Sequence, residues 1–305
     1  MKAIRIHSYG SADQLQMEDV PQPSVRDNEV LVKISYAGIN PVDWKIREGH
    51  MKDRMPAEFP FTIGQDFSGS VVKTGNAVQG FKEADEVFGF APGSYAEYAA
   101  VRPSDIALKP ASMDLMDAAA IPTAGLTAWQ ALFDYARVTA GHRILIHAAG
   151  GGVGSLAVQL AKWKQASVIA TASGDDIAYV KRLGADEVID YKAERFEAKV
   201  HDVDAVIDLV GGDTLARSYA VVRNGGAIVS TIGPINEFEA GKRNLHATAM
   251  VMQRNAAGLA QLAHLVNQGE LKPRMDQVLL LVDAKKAQEL SQKGKSHGKL
   301  LLRVA

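Results

Sequence analysis

Residues 148 to 162 read AAGGGVGSLAVQLAK, and this stretch limits the possible folds more sharply than any other. Before it lies RILIHAA, a short apolar and partly β-branched run that reads as a buried strand. After it, Val153, Leu156, Ala157, Leu160 and Ala161 recur at i, i+3, i+4, i+7 and i+8, which is one face of a helix. The glycines therefore mark a tight strand-to-helix turn whose backbone amides come before the first helical hydrogen bond.

The same texture continues downstream. SVIATAS leads to a helix through DDIAYVKRLGA, EVID is a short strand, DAVIDLV leads to a helix through DTLARSYAVVR, and GGAIVSTIG closes the series. Strands alternating with helices predict a parallel sheet covered on both faces. The first 110 or so residues differ. EVLVKISYAGI, SGSVVKTG, DEVFGF and GSYAEYAAV are short strand-like runs broken by Gly, Pro, Asn and Asp, the pattern of a half-exposed antiparallel sheet. MDLMDAAAIPTAGLTAWQALFDYARV reads as helix on either side of Pro122. The last 55 or so residues hold two helices and two strands, and the terminal GKLLLRV suits a return to the β-rich block.

At 305 residues the chain is long enough for two domains with a substantial core. A formal net charge of -1 shows no footprint for nucleic acid or an acidic membrane. No apolar run reaches membrane-spanning length, and the start MKAIRIHSYG reads as a strand rather than a signal peptide, so a cytoplasmic location is expected. With no cysteine there is no disulfide, thiolate zinc site or cysteine nucleophile, and the 8 histidines form no H-x-x-x-H pair, so no metal site is expected.

As a dinucleotide fingerprint, G-x-G-x-x-G, the turn places Ala149, Gly151 and Gly154 at the three glycine positions. Ala149 departs from the pattern. Gly151 lets the backbone approach a pyrophosphate, Gly154 lets helix and strand close up, and the amides of 152 to 154 face the phosphates at the positive end of the helix dipole. A strand before, a helix after and a βαβ series downstream are the context the motif needs. The second strand ends ATASGDD. Where an NAD-binding chain offers an acid to the ribose, this one has Thr171, Ala172 and Ser173, small residues that leave room for a 2′-phosphate and favour NADP. Asp175 and Asp176 argue the other way unless they serve the helix dipole, and Lys181, Arg182 and Tyr191 are available to balance them.

In GINPVDWKIREG, Asn40 reads as an N-cap with Pro41 as the first helical residue, Asp43 then decorating the first turn. The alternative puts the segment at the mouth of a cleft with Asn40 and Lys45 facing a cofactor. His147, inside the buried strand, reads as a satisfied core histidine. Trp44, Phe67 and Tyr95 suit either a pocket or ordinary packing.

GINPVDWKIREG, GQDFSGSVVKTG, AAIPTAGLTAWQAL, AAGGGVGSLAVQLAK, RLGADEVIDY and HGKLLLRV, in that order, resemble the medium-chain dehydrogenase/reductase superfamily over essentially the whole chain, in its zinc-independent quinone oxidoreductase and enone reductase branch. The resemblance implies an α/β chain with a GroES-like β-rich catalytic domain, a Rossmann domain with a doubly wound parallel sheet, and a C-terminal segment returning to the catalytic domain. The expected boundaries are 1–121, 122–253 and 254–305. Where the zinc branch carries its ligands, this chain has Asn40, Gln65 and Pro122–Thr123, none an ordinary zinc ligand.

By the same resemblance, Lys45, Gly152, Val153, Ser173, Gly174, Tyr191 and Ile232, with Gly151 from the fingerprint, are the expected NADPH contacts, and Thr127 is a candidate beside the nicotinamide. Lys45 and Asn40 are the catalytic candidates. Tyr191 reads equally as a strand-end aromatic and Thr127 as a buried helix hydroxyl. Without a metal, hydride transfer suits a quinone or the β-carbon of an α,β-unsaturated carbonyl, where donors stabilise charge on the carbonyl oxygen. The other readings are a non-catalytic NADPH-binding redox sensor or structural protein, and a metal-free alcohol dehydrogenase. ATAMVMQ, 247 to 253, reads as a strand able to pair across a two-fold axis in a homodimer or to end inside one chain.

Overall fold

The computed structural model describes residues 1–294 and 296–304, which divide into two compact units. One comprises Met1–Thr123, Arg254–Gly269 and Pro273–Ala305, of which all but Lys295 and Ala305 are described; the other comprises Ala124–Gln253 and Glu270–Lys272.

In the second unit the described residues form a six-stranded, wholly parallel sheet. Across the sheet the strands run Glu187–Asp190, Ser167–Ala172, Arg143–Ile146, Val203–Asp208, Val222–Ser230, His246–Ala249. In chain order this is 3-2-1-4-5-6, the dinucleotide-binding arrangement. The order reverses between Arg143–Ile146 and Val203–Asp208, and a crevice for ligands opens there at the carboxyl ends of the strands. Runs such as Ile144–Leu145–Ile146 and Val206–Ile207 are buried because helices cover both faces of a parallel sheet. A core of Leu145, Ile169, Ile189, Phe196, Val206, Leu215, Tyr219 and Ile228 packs within this unit.

The helix after the glycine turn spans Gly152–Trp163 and buries Leu156, Ala157, Val158, Leu160 and Ala161. Val153, expected on the same apolar face, is only half-buried. Two boundaries also differ from expectation. The helix through DTLARSYAVVR stops at Ser218, and after a 3-10 turn at Tyr219–Val221 the next strand has begun by Val222, because that valine is needed in the sheet. In ATAMVMQ only residues 247 to 249 belong to a strand, an edge strand paired to Val222–Ser230 on one side.

Among its described residues the first unit is built on a seven-stranded sheet around the long strand Val30–Ile39. That strand pairs antiparallel with Asp66–Thr74 and Tyr98–Val101. The terminal strand Lys299–Arg303 pairs antiparallel with it too, Leu300 opposite Ile39 and Arg303 opposite Tyr36, and parallel with Met275–Leu280, so the tail does return to the β-rich block. Helix Pro41–Arg47 follows the central strand directly, with proline at its first turn. Helix Ala284–Gln292 packs against it, and Arg47, fully buried, donates to Gly10 O, to Gln288 Oε1 and to Gln292 Oε1.

Candidate functional site

The predicted residues fall into two sets, one in each unit. In the second unit the turn begins at Ala148, held at φ 51°, a left-handed backbone uncommon outside glycine. The neighbouring strand supplies the clamp. Thr171 O accepts the amide of Ala149 at 3.0 Å, and Thr171 Oγ1 accepts that of Ala148 at 3.3 Å. Gly151 is the N-cap, extended at φ -77° and ψ 176°, and the helix's first hydrogen bond runs from Ser155 N to Gly151 O. The amides of Gly152, Val153 and Gly154 precede it and carry the helix's positive end.

Two glycines of the fingerprint do different work. A Cβ on Gly154 would lie 2.3 Å from Ala148 O and 2.7 Å from Ala149 Cα, so the helix sits against the strand only because that position is bare. A Cβ on Gly151 would meet nothing nearer than Ala148 O at 3.4 Å, ordinary contact distance. Packing requires the first glycine and leaves the second unexplained. A Gly151 that packing does not require, beside half-buried Gly152 and Val153 with their free amides, fits the close approach of a pyrophosphate.

A cavity of about 510 Å³ opens at the carboxyl ends of the strands of the same unit, lined among others by His147, Tyr191, Arg195, Phe196, Val210 and Arg217. Tyr191 is exposed, and its amide donates to Ala172 O at 3.2 Å, which sets it beside Ser173 at the sheet edge. Ser173 is half-buried, and Gly174 adopts φ 58° as the cap of helix Asp175–Arg182. Ile232 is half-exposed beyond the fifth strand, and its amide and that of Gly233 donate to Ser230 Oγ. Ser230 in turn donates to buried Asp208, which also accepts the amides of Val210 and Gly211, so one carboxylate ties together the loops after the fourth and fifth strands. Thr127 is buried in helix Pro122–Trp129.

His147 is the satisfied core residue expected. Ser218 Oγ donates to Thr214 O at 2.7 Å, so it accepts from His147 Nε2–H at 3.0 Å. Nδ1 is then the acceptor for the Thr171 hydroxyl at 3.1 Å. Burial lowers the imidazole pKa to about 4, so the ring is neutral. The arrangement corrects one expectation: the Thr171 hydroxyl is buried and committed to His147 and the turn, and Ser173 alone of the strand-end hydroxyls remains for a ribose phosphate. It corrects another as well. Lys181 and Arg182 close the eight-residue helix that starts at Asp175, about 10 Å along its axis from Ser173, with Arg182 over the Tyr179 ring. Arg195, which sequence reasoning passed over, lines the cavity instead.

In the first unit, Asn40 occupies the N-cap position, but its side chain makes no capping hydrogen bond. The reverse half of the capping box is present: Asp43 Oδ2 accepts the Asn40 amide at 2.8 Å. The Asn40 carboxamide is turned elsewhere. Its Oδ1 accepts from Lys299 Nζ at 2.5 Å, and Lys299 also donates to Ile39 O and lies 3.6 Å from Asp66. An ammonium has only donors, so it fixes the amide with oxygen inward, leaving Nδ2 buried without a partner. Trp44 Nε1 and Asp43 Oδ1, on the same short segment, are likewise buried and unpartnered. Burial raises the Asp43 pKa to about 7, although its carboxylate also takes the Tyr95 hydroxyl at 2.9 Å. Lys45 is half-buried with Nζ 5.6 Å from the centre of the Trp44 ring.

The positions matching zinc ligands are all engaged. Asn40 bonds Lys299, Gln65 Oε1 accepts from Arg254, and Thr123 donates its hydroxyl and amide to Asp66. Two cations already stand on the amide side chains there, and among the described residues no group of three or more His, Asp or Glu is placed to hold a metal. No described helix is long and apolar enough to cross a membrane.

Residues 26–111 match the family described as alcohol dehydrogenase GroES-like domain, and residues 183–302 the one described as zinc-binding dehydrogenase. A 2-methylene-furan-3-one reductase of Solanum lycopersicum is 38% identical over 289 residues, covering 90% of this chain and 71% of that protein. The solved quinone oxidoreductase of Coxiella burnetii is 38% identical with a TM-score of 0.91, over 100% of this chain and 99% of that one. The Escherichia coli quinone oxidoreductase, solved in complex with NADPH, is 28% identical with a TM-score of 0.91 over 100% of both chains.

Proposed function

This chain belongs to the medium-chain dehydrogenase/reductase superfamily, in its zinc-independent quinone oxidoreductase and enone reductase branch, and on that premise we propose that it is an NADPH-dependent reductase of quinones or of the C=C bond of α,β-unsaturated carbonyls. The observation that carries this reading is the contrast within the glycine turn, where Gly154 is demanded by packing and a Cβ on Gly151 would meet only Ala148 O, at ordinary contact distance. NADPH bound with its pyrophosphate on this turn would supply the hydride from its nicotinamide.

The residues of the chain divide the remaining work. The amides of Gly152 and Val153, with Gly151 giving clearance, hold the pyrophosphate. Ser173, Gly174 and Tyr191 receive the adenosine ribose. Thr127, Ile232 and Lys45 serve the nicotinamide end. Asn40 and Lys45 are donors to the acceptor's carbonyl oxygen, where negative charge builds as the β-carbon is reduced. Lys299 supports this by fixing which end of the Asn40 amide is the donor. A carbonyl already conjugated needs no alkoxide and so no Lewis acid; an unactivated alcohol needs a base, which the Asn40 amide does not provide.

Calorimetry with NADPH, followed by loss of nicotinamide absorbance on adding a quinone or an enone, tests the reading. Binding with turnover of a conjugated acceptor and none of a simple alcohol is expected. Tight binding without turnover across a broad panel would leave the non-catalytic alternative, and no binding would remove the nucleotide site. A cytoplasmic location and a homodimer through the edge strand His246–Ala249 belong to the same proposal, with fractionation and light scattering as their tests.

A further inference from the structure

The cavity in the second unit raises the question of which cation meets the phosphate that distinguishes NADPH from NADH. Adenosine lies over the first, second and third strands when the pyrophosphate sits on the turn after the first. Its ribose therefore comes to the ends of the second and third strands, at Ser173 and Tyr191, beside the cavity.

The basic residues of that region separate clearly. Lys181 and Arg182 are a helix length away. Arg217 lines the cavity but is locked: Nε bonds Asp213 Oδ2 at 2.8 Å, NH1 bonds Glu197 Oε2 at 2.7 Å, and the guanidinium lies 4.9 Å over the Phe196 ring. Arg195 also lines the cavity, four residues beyond Tyr191, and its side chain is 75% exposed. Both its Nε and its NH2 reach one oxygen, Glu197 Oε1, at 2.6 Å. The other oxygen of Glu197 is already paired with Arg217. Arg195 can therefore leave without orphaning a carboxylate, and an exposed ion pair of this kind holds it only weakly.

We infer that Arg195 is the specificity-determining residue for NADPH, turning from Glu197 to make a bidentate contact with the ribose 2′-phosphate next to the hydroxyls of Ser173 and Tyr191. The inference rests on the nucleotide reading given above. A guanidinium suits the task because its planar fork matches a phosphate and it is always charged. The Asp176 carboxyl packs against the turn at Gly150, where a Cβ would lie 2.6 Å from its Cγ.

Binding of NADPH, NADH, 2′,5′-ADP and 5′-AMP to the wild type and to Arg195→Met and Arg195→Lys, measured by calorimetry, tests this without any turnover. In Arg195→Met, NADPH and 2′,5′-ADP should bind about tenfold or more weakly, with NADH and 5′-AMP within about twofold of wild type. Arg195→Lys should recover part of the loss, and melting temperatures should agree because the side chain is exposed. An unchanged NADPH-to-NADH ratio in Arg195→Met, or an equal loss for all four ligands, would overturn the inference. Wild-type protein that bound none of them would instead overturn the nucleotide reading itself.

Discussion

Two alanine substitutions, three residues apart in the glycine turn, should have opposite consequences. In Gly154→Ala the new methyl would start 2.3 Å from Ala148 O, where side-chain carbons need about 3.4 Å, so helix Gly152–Trp163 must retreat by about 1 Å from the first strand. Overpacking of this kind costs about 1–3 kcal/mol, and the second unit should melt about 4–10 °C lower. In Gly151→Ala the methyl meets only Ala148 O at 3.4 Å, and φ -77° suits alanine. The lost preference for glycine at the N-cap and the gain from a stiffer unfolded chain nearly offset each other, so stability should change by less than about 1 kcal/mol. On the proposed nucleotide site the same methyl occupies the approach of the pyrophosphate, so NADPH affinity should fall at least about tenfold, or 1.4 kcal/mol. Calorimetric melting and calorimetric titration on both variants give the two readouts. A Gly151→Ala protein that kept wild-type affinity, or a Gly154→Ala protein that kept wild-type stability, would refute the division of labour between the two glycines.

Three further outcomes follow from buried groups. Asp43 has its pKa raised from 3.8 to about 7, so between those values the native state holds a proton that the unfolded chain has lost; stability falls by up to about 4 kcal/mol as pH rises through that window, and Asp43→Asn should flatten the denaturant-derived profile. His147 has its pKa lowered from 6.5 to about 4, so there the unfolded chain holds the extra proton and stability rises with pH by up to about 3 kcal/mol; His147→Gln should remove that rise, exposing the opposite slope of Asp43. If Asn40 donates to the reacting carbonyl as proposed, Asn40→Ala should lower the rate of hydride transfer about 100-fold with NADPH affinity nearly unchanged, because the buried, unpartnered Nδ2 donor is lost.

The parts of this protein that a sequence shows are those fixed by neighbours along the chain. The turn at 148 to 154, the helix face of Leu156, Leu160 and Ala161, and the parallel series all follow from local spacing, and the structure has them. What the sequence hides depends on partners far away. Asn40 looks like a helix cap, and its position is one, but its side chain is claimed by Lys299, 259 residues later. Thr171 looks like a phosphate ligand, but it faces the histidine of the strand beside it. Lys181 and Arg182 are near Ser173 in sequence and separated from it by the helix rise, whereas Arg195 is farther along the chain and lines the cavity. Counting helical positions would have moved the first two out of reach; finding the third needed the third strand placed beside the second.

The measurement that reaches the central claim most directly uses NADPH carrying deuterium on the transferred face of its nicotinamide, an enone acceptor, and protein dialysed against a chelator. Deuterium at the β-carbon of a saturated ketone, at a rate the chelator does not change, is the predicted result. Deuterium at the carbonyl carbon, or activity that disappears with the metal and returns with added zinc, would contradict the account.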